Sequence, residues 1–225
     1  MRVLITGTSA GVGKTWVACA LIRGLRDVGE QVIAVKPVET GRSGQPSEWE
    51  DGVRLAKATG QEQPTQAILR LPLPGAPVLG GEGVESAIDF DALVVKIEGY
   101  IDGAEFGLVE GTGGLLTPVT WEWNMTDLAH DLGACALVVG EDRLGTINHT
   151  LLTLSALELG GIPCAGVVLT TPETTDRSTG ANAAAIARLS GLDRVMAVPR
   201  ATDPGDAAGA MVQVVGWLGR VAAPA

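Results

Sequence analysis

Short apolar runs alternate with amphipathic segments along most of the chain. Nearly continuous apolar character predicts six buried strands, at residues 2–5, 31–36, 106–110, 134–139, 164–169 and 195–198. Helical spacing of apolar positions predicts seven helices, at residues 14–28, 48–59, 89–101, 125–131, 146–159, 180–189 and 204–218. Because strands and helices alternate, we expect an α/β fold with a parallel sheet, right-handed crossovers and helices on both faces.

One segment, residues 61–85, interrupts this alternation. It contains four prolines and several glycines, which predicts a long loop. No independent apolar core lies on either side of it, so we do not interpret it as a linker between domains. At 225 residues and 23.1 kDa, the chain is predicted to form one domain spanning residues 1–225.

A glycine-rich segment, GTSAGVGKT at residues 7–15, joins the first predicted strand to the first helix. This is the setting of a phosphate-binding loop, because backbone N–H groups and the helix N-terminus together form an anion site. Five residues separate Gly7 from Gly13, where the common loop has four. We expect the loop to bind a nucleoside triphosphate through Ala10, Gly11, Val12, Gly13, Lys14 and Thr15. Lys14 would reach the β- and γ-phosphates, and the Thr15 hydroxyl would take one Mg²⁺ position.

Charge and cysteine content narrow the class of partner. The net charge is −10 and the isoelectric point is near 4.6, which argues against a nucleic acid or an anionic membrane as partner. No apolar run reaches the ~18 residues of a membrane span, and the predicted first strand leaves no room for a signal peptide. Cys19, Cys135 and Cys164 lie in separate apolar stretches, which favours small buried thiols in a reducing cytoplasm.

Charged residues stand at the carboxyl ends of the predicted strands, where functional loops gather in a parallel sheet. Lys36 ends the second strand, and Pro37 fixes the chain direction beyond it, so we expect the ammonium to face the phosphates. Glu110 follows a buried run, where an unpaired carboxylate is costly, and Mg²⁺ binding would account for it. Asp51 is a second candidate ligand, although with Glu48 and Glu50 it could instead form a solvated helix start.

Three further motifs follow the loop in a fixed order: KPVETG at residues 36–41, EGTGGL at 110–115 and LGTINHT at 144–150. Together with the lengthened phosphate loop, they resemble the dethiobiotin synthetase family over nearly the whole chain. The resemblance implies an α/β fold of the P-loop NTPase type and a homodimeric, cytoplasmic, ATP- and Mg²⁺-dependent ligase of biotin biosynthesis. Such an enzyme converts 7,8-diaminononanoate, CO₂ and ATP to dethiobiotin, ADP and phosphate, through a carbamate and a carbamic-phosphoric anhydride.

The resemblance also implies roles for individual residues. Lys14 would hold the phosphates, and Lys36 would bridge the carbamate and the transferred phosphoryl group, so both are candidate catalytic residues. Thr15, Asp51 and Glu110 would ligate Mg²⁺.

Substrate and nucleoside contacts are implied in the same way. Thr40 would contact the diamine end of the substrate. The loop holding Gly145, Thr146 and Asn148 would reach in from the neighbouring subunit and receive the substrate carboxylate. Thr170 and Pro199 would lie on the nucleoside side.

Three departures from the family pattern affect these expectations. Ala10-Gly11 stands where some members place a hydroxyl and an acidic residue, so no contact from those two side chains is expected. Thr112 replaces the usual alanine of the EGTGGL motif, which adds a hydroxyl near Glu110. Thr170-Thr171 stands where members that select adenine often carry an asparagine. We therefore expect relaxed base selectivity, with other nucleoside triphosphates accepted beside ATP.

Two alternative functions use a similar loop. Partition and division-site switch ATPases carry a lysine early in the loop, whereas Lys14 is the first lysine of this chain. A small-molecule kinase would use the same parts for phosphoryl transfer. The product separates it from a synthetase, because a kinase leaves phosphate on its acceptor.

Overall fold

The computed structural model of the chain describes residues 1–80, 88–199 and 203–222, and its strands build two parallel sheets. The strands are β1 (Arg2–Gly7), β2 (Val32–Val35), β3 (Val38–Thr40), β4 (Leu69–Leu71), β5 (Phe106–Gly114), β6 (Cys135–Glu141), β7 (Cys164–Thr170) and β8 (Val195–Val198). Six of them form the main sheet in the order β2-β5-β1-β6-β7-β8, with every pairing parallel. The predicted fold class is confirmed.

Helices cover both faces of this sheet. They are α1 (Lys14–Asp27), α2 (Asp51–Thr59), α3 (Phe90–Ile101), α4 (Met125–Asp131), α5 (Thr146–Leu159), α6 (Asn182–Ser190) and α7 (Ala208–Ala222), with 3₁₀ turns at Pro77–Leu79 and Pro204–Ala207. Residues of α1, α2 and α7 pack with Ile5 in one core. Residues of α3 to α6 pack with the adjacent Leu4 in the other. Successive side chains of β1 thus enter opposite cores, as the period of a strand requires.

The ends of several elements differ from their predicted positions. Strand β5 continues to Gly114, four residues beyond its predicted end at Glu110, because Gly114 pairs with Gly7 after an irregularity in the register. The last helix is preceded by the 3₁₀ turn at Pro204–Ala207 and continues to Ala222. Most other ends agree within two residues, although α2 begins at Asp51 and not at residue 48.

The predicted loop at residues 61–85 is partly wrong. It contains β4, which pairs in parallel with β3 through Val38–Leu69 and Thr40–Leu71, and the 3₁₀ turn at Pro77–Leu79. Strands of three residues are too short to show a period of two, which explains why this small sheet was missed. Residues 81–85 of the predicted loop lie outside the described residues. In the part of the chain that is described, no helix has the length and apolarity to cross a bilayer.

Candidate active site

The phosphate loop has the backbone that its glycines allow. Gly11 and Gly13 have φ values of 75° and 89°, in the left-handed region that favours glycine, and α1 begins directly after Gly13. The Thr170 hydroxyl at the end of β7 donates to the Val12 carbonyl at 2.9 Å. A Cβ atom on Gly13 would meet Thr170 Cγ2 at 3.0 Å. The loop is therefore anchored to β7 as well as to β1.

Four polar side chains converge at the first turn of α1. Lys36, directly after β2, places its Nζ 2.6 Å from Glu110 Oε1 and 3.0 Å from Asp51 Oδ2. The Thr15 Oγ1 lies 2.7 Å from Asp51 Oδ1 and 2.8 Å from Glu110 Oε1. A hydroxyl has one proton, so Thr15 donates to one of these carboxylates at a time. Asp51, the first residue of α2, therefore joins this cluster with Thr15, Lys36 and Glu110.

Burial and pairing set the charge state of this cluster. Burial acts to lower the pKa of Lys36, but Glu110 and Asp51 outweigh it and hold that pKa above its usual value. Burial raises the pKa of Glu110, with Lys36 opposing and Asp51 adding to the shift. For Asp51, burial acts to raise the pKa, but Lys36 and the Thr15 hydroxyl outweigh it, so the pKa lies below its usual value. Lys36 is thus a protonated donor at neutral pH.

Lys14 has a different environment. Its Nζ donates to the Ser9 carbonyl at 3.2 Å. Burial, followed by repulsion from Lys36, lowers the pKa of Lys14 to about 8. A bound polyphosphate would be an anionic partner for this ammonium and would raise its pKa again, which fits the expected phosphate-binding role.

The ligand set suits Mg²⁺. Glu110 Oε2 is buried and has no hydrogen-bond partner among the described residues, so it is available to a cation. Thr15, Asp51 and Glu110 offer only oxygen atoms, which Mg²⁺ prefers, and Mg²⁺ usually combines one or two carboxylates with phosphate oxygens and water. Within the described ranges, no group of three or more His, Cys, Asp or Glu side chains could hold a metal ion. The residues fit a metal bound together with a nucleotide.

A cleft of about 310 Å³ contains most of the predicted site. It is lined by the predicted residues Ala10, Gly11, Gly13, Lys14, Thr15, Lys36, Thr40, Asp51 and Glu110. Sequence reasoning missed Trp16, Glu39, Arg42 and Arg54, which line the same cleft. Arg54 stands three residues after Asp51, so helical spacing could have placed both on one face of α2. Thr112 also lines the cleft, but its hydroxyl donates to the Val38 carbonyl at 2.6 Å.

Two further cavities adjoin this cleft. One of about 220 Å³ shares Gly11, Gly13, Trp16 and Arg54 with it and extends to Val12 and Thr170, on the side expected for the nucleoside. The other, of about 750 Å³, shares Ala10, Thr40, Thr112 and Gly113 and is lined further on by Leu116, His149 and Leu152. It offers an extended and partly apolar space beside the phosphate cleft.

Four predicted residues lie elsewhere. Gly145, with φ 93°, precedes α5, where Thr146 is buried and Asn148 is exposed. Pro199 is exposed just beyond β8. None of the four is among the described residues that line these three cavities. Within one chain, the structure does not bring them to the cluster of Lys36, Asp51 and Glu110.

Solved structures share the fold. The chain aligns over its full length with the MinC:MinD cell division protein complex of Aquifex aeolicus, with a TM-score of 0.62, 15% identity and 98% of that chain covered. The cell division ATPase MinD of Pyrococcus furiosus gives a TM-score of 0.57 at 18% identity, with 98% and 99% of the two chains covered. At this identity the likeness concerns the P-loop ATPase fold alone.

Sequence relatives are considerably more similar. A family profile described as an AAA domain matches residues 1–207. The ATP-dependent dethiobiotin synthetase BioD of Anaeromyxobacter dehalogenans (strain 2CP-C) is 42% identical, with 88% of this chain and 89% of the relative covered. The enzyme of the same name from Aquifex aeolicus is 37% identical, with 90% of each chain covered. These identities extend over about nine-tenths of each chain, and the chain belongs to the dethiobiotin synthetase family.

Proposed function

We propose that the protein is an ATP-dependent dethiobiotin synthase that acts as a single domain. It would carboxylate 7,8-diaminononanoate with CO₂ and close the cyclic urea, at the expense of ATP. Membership of the family supports this proposal, as does the placement of Lys36 beside the phosphate loop. The observation that carries it is the convergence of Lys36, Asp51 and Glu110 on Thr15, the hydroxyl that follows the loop lysine.

The reaction would proceed in three balanced steps. One substrate amine adds to CO₂ and loses a proton, which gives a carbamate. A carbamate oxygen attacks the γ-phosphorus of ATP, ADP leaves, and a carbamic-phosphoric anhydride forms. The second amine attacks the carbamoyl carbon, loses a proton and expels phosphate. No step requires a nucleophile from the protein, so the residues act by positioning and by stabilising charge, and positioning alone can contribute ~7–11 kcal/mol.

Lys36 is proposed as the donor that meets the developing charge. Its ammonium is held by Glu110 and Asp51 on the wall of the cleft, 4% exposed, where the low dielectric strengthens its interaction with phosphoryl and carbamate oxygens. Lys14 and the loop N–H groups would hold the β- and γ-phosphates. Thr40, which lines both the phosphate cleft and the larger cavity, would contact the diamine.

Mg²⁺ is part of the proposal. Thr15, Asp51 and Glu110 would hold it, and when bound it would neutralise charge on the phosphate oxygens. Glu110 and Asp51 would then have a second cationic partner besides Lys36. The Lys36 ammonium could then turn toward the substrate without leaving a buried carboxylate unpaired.

A homodimer is proposed to complete the substrate site. In one chain, Gly145, Thr146 and Asn148 line none of the three described cavities, while His149 and Leu152 on the same helix line the large one. Exposed leucines on this helix, Leu152 and Leu159, favour burial against a second copy. The substrate carboxylate would bind at the loop of the partner. A cytoplasmic location is supported by three cysteines that are free thiols.

Phosphate release from ATP, measured with and without diaminononanoate and bicarbonate, tests the function. We expect release only when both are present, with dethiobiotin detected by mass in equal amount. Release without the diamine would favour a switch ATPase. A phosphorylated acceptor would favour a kinase. Either result would contradict the proposal.

A further inference from the structure

The N-terminus of α2 is not capped by the residue that precedes it in sequence. Helix α2 begins at Asp51, and its N-cap residue Glu50 makes no side-chain hydrogen bond to the helix. Glu50 binds Arg70 instead, with contacts of 2.7 and 2.8 Å. The first-turn N–H groups, which need an acceptor, must find one elsewhere.

Glu39 supplies that acceptor. Its Oε1 accepts from the Asp51 N–H at 2.8 Å, and its Oε2 accepts from the Gly52 N–H at 3.1 Å. Both oxygens of one carboxylate therefore hold consecutive backbone groups of the helix, where the positive end of the helix dipole also favours negative charge. The side chain is 4% exposed, and Arg42 donates to Oε1 at 2.8 Å from the outer side.

The other side of this helix end is also constrained. A Cβ atom on Gly52 would lie 2.1 Å from the Ala67 backbone nitrogen. The first turn of α2 is thus held between Glu39 and the segment that leads into β4. Little room remains for Asp51 to move along or across the helix axis.

We propose that Glu39 is a positioning residue for Asp51 in the Mg²⁺ site, an inference that rests on the proposed role of Asp51 as a ligand. Glu39 holds the backbone of Asp51, while the Asp51 carboxylate reaches Thr15 and Lys36. Lys36 and Glu39 are separated by two residues of one short segment. The segment from Lys36 to Glu39 therefore supplies both the Lys36 ammonium and the acceptor that holds the facing end of α2. Residues that support metal ligands in this way change metal affinity by about 10–100-fold when they are replaced.

Glu39→Gln tests the inference, because the amide keeps the size but presents N–H groups to a backbone donor. Calorimetry would measure binding of the non-hydrolysable analogue β,γ-imido-ATP with and without Mg²⁺. In Glu39→Gln, we expect the factor by which Mg²⁺ increases analogue affinity to be about tenfold smaller than in the unmodified protein. Analogue affinity without Mg²⁺ should stay within about twofold of the unmodified protein. An unchanged Mg²⁺-dependent gain would overturn the proposal, as would the absence of any such gain in the unmodified protein.

A double-mutant cycle separates positioning from direct contact. If Glu39 acts through Asp51, Glu39→Gln has no further effect on the Mg²⁺-dependent gain in the Asp51→Asn background. Additive losses would mean that Glu39 touches the metal or the nucleotide itself, and would overturn the positioning role. Asp89→Ala is the matched control, because it removes a cap from α3 that accepts from the Ala92 N–H at 2.9 Å. It should lower stability and leave the Mg²⁺-dependent gain intact.

If Glu39→Gln does not fold, the same binding measurements are made on Arg42→Ala. It removes only the partly exposed guanidinium that orients Glu39, and a loss of about threefold in the Mg²⁺-dependent gain is expected, below the range for direct supporting residues. No loss would overturn the proposal. These binding measurements need no diamine. If they succeed while no dethiobiotin forms, the positioning role stands and the synthase function falls.

Discussion

Lys36 Nζ and Glu110 Oε1 are 2.6 Å apart, and their side chains are 4% and 1% exposed. The two residues are 74 positions apart in sequence and meet because β2 and β5 are neighbours in the sheet. A buried pair of this kind costs desolvation on both sides, and loss of one partner leaves an uncompensated charge. The pair is therefore poorly explained by stability alone. It is better explained as a donor and an acceptor prepared for a substrate and a cation.

Replacing Lys36 with alanine should separate catalysis from binding. We expect dethiobiotin formation to fall by at least about 10²–10³-fold, because a donor to the developing charge is lost. Nucleotide affinity, which depends on the loop and Lys14, should remain within a few-fold. Steady-state kinetics and calorimetry of ADP binding check both effects. The matched control is Lys57→Ala, an exposed lysine on α2. Equal turnover in Lys36→Ala and Lys57→Ala would remove Lys36 from the mechanism.

Replacing Glu110 with glutamine should weaken the response to Mg²⁺. Glu110→Gln leaves the buried Lys36 ammonium with Asp51 as its remaining charged partner, so the melting temperature should also fall. We expect the Mg²⁺ concentration for half-maximal activity to rise about tenfold or more. A Mg²⁺ titration measures this, with the exposed Glu62→Gln as control. A normal titration curve would reassign the carboxylate to a structural role.

Base selectivity should be relaxed. The Thr170 hydroxyl donates to Val12, with Gly140 O at 3.3 Å, and the Thr171 hydroxyl donates to the Val198 carbonyl at 2.9 Å. Both protons are committed to the backbone, so neither side chain can donate to a base edge. Activities with CTP and GTP should lie within about tenfold of that with ATP, a factor equal to one hydrogen bond of ordinary strength. A hundredfold loss with either would contradict this. Thr171→Asn, which adds an amide, should sharpen the preference.

The three cysteines should be unreactive in the native protein. Burial raises the pKa of Cys19 to about 12 and those of Cys135 and Cys164 to about 11. Because the thiolate is the reactive form and a raised pKa keeps the thiol protonated, alkylation at pH 8 should be slow, and should accelerate as the pH rises toward 11. Mass spectrometry after iodoacetamide treatment measures this. Unfolded protein, in which all three should react quickly, is the control. Fast modification of native Cys19 would contradict its burial.

Sequence reasoning succeeded where one short stretch of chain carries the signal. The buried run before Gly7 and the GKT triplet predict the strand, the loop and the helix without any distant contact. Lys36 and Glu110 were predicted because parallel strands bring their carboxyl ends to one edge of the sheet. Which charged residue faces which, however, depends on strand order. The sequence does not reveal that β5 lies between β1 and β2.

The failures have the same physical origin. Glu39 was overlooked because its role depends on a helix that begins twelve residues later, and an acidic residue in a short polar stretch has no period to mark it. The pairing of β3 with β4 depends on contacts across about 30 residues of proline-containing chain. Asp51 could not be distinguished from Glu48 and Glu50 by sequence. In the structure Glu50 turns to Arg70, while Asp51 turns to Thr15.

The bond from Thr170 to the Val12 carbonyl has a wider consequence. Because of this bond, the phosphate loop is already ordered in the nucleotide-free protein. Nucleotide binding then need not include the entropic cost of ordering the loop. The side chain at position 170 can therefore either hold the phosphate loop or contact a base, but not both. A side chain there that turned toward a base would lose its hydrogen bond to the loop. Greater selectivity between bases would then be accompanied by a less rigid phosphate-binding loop.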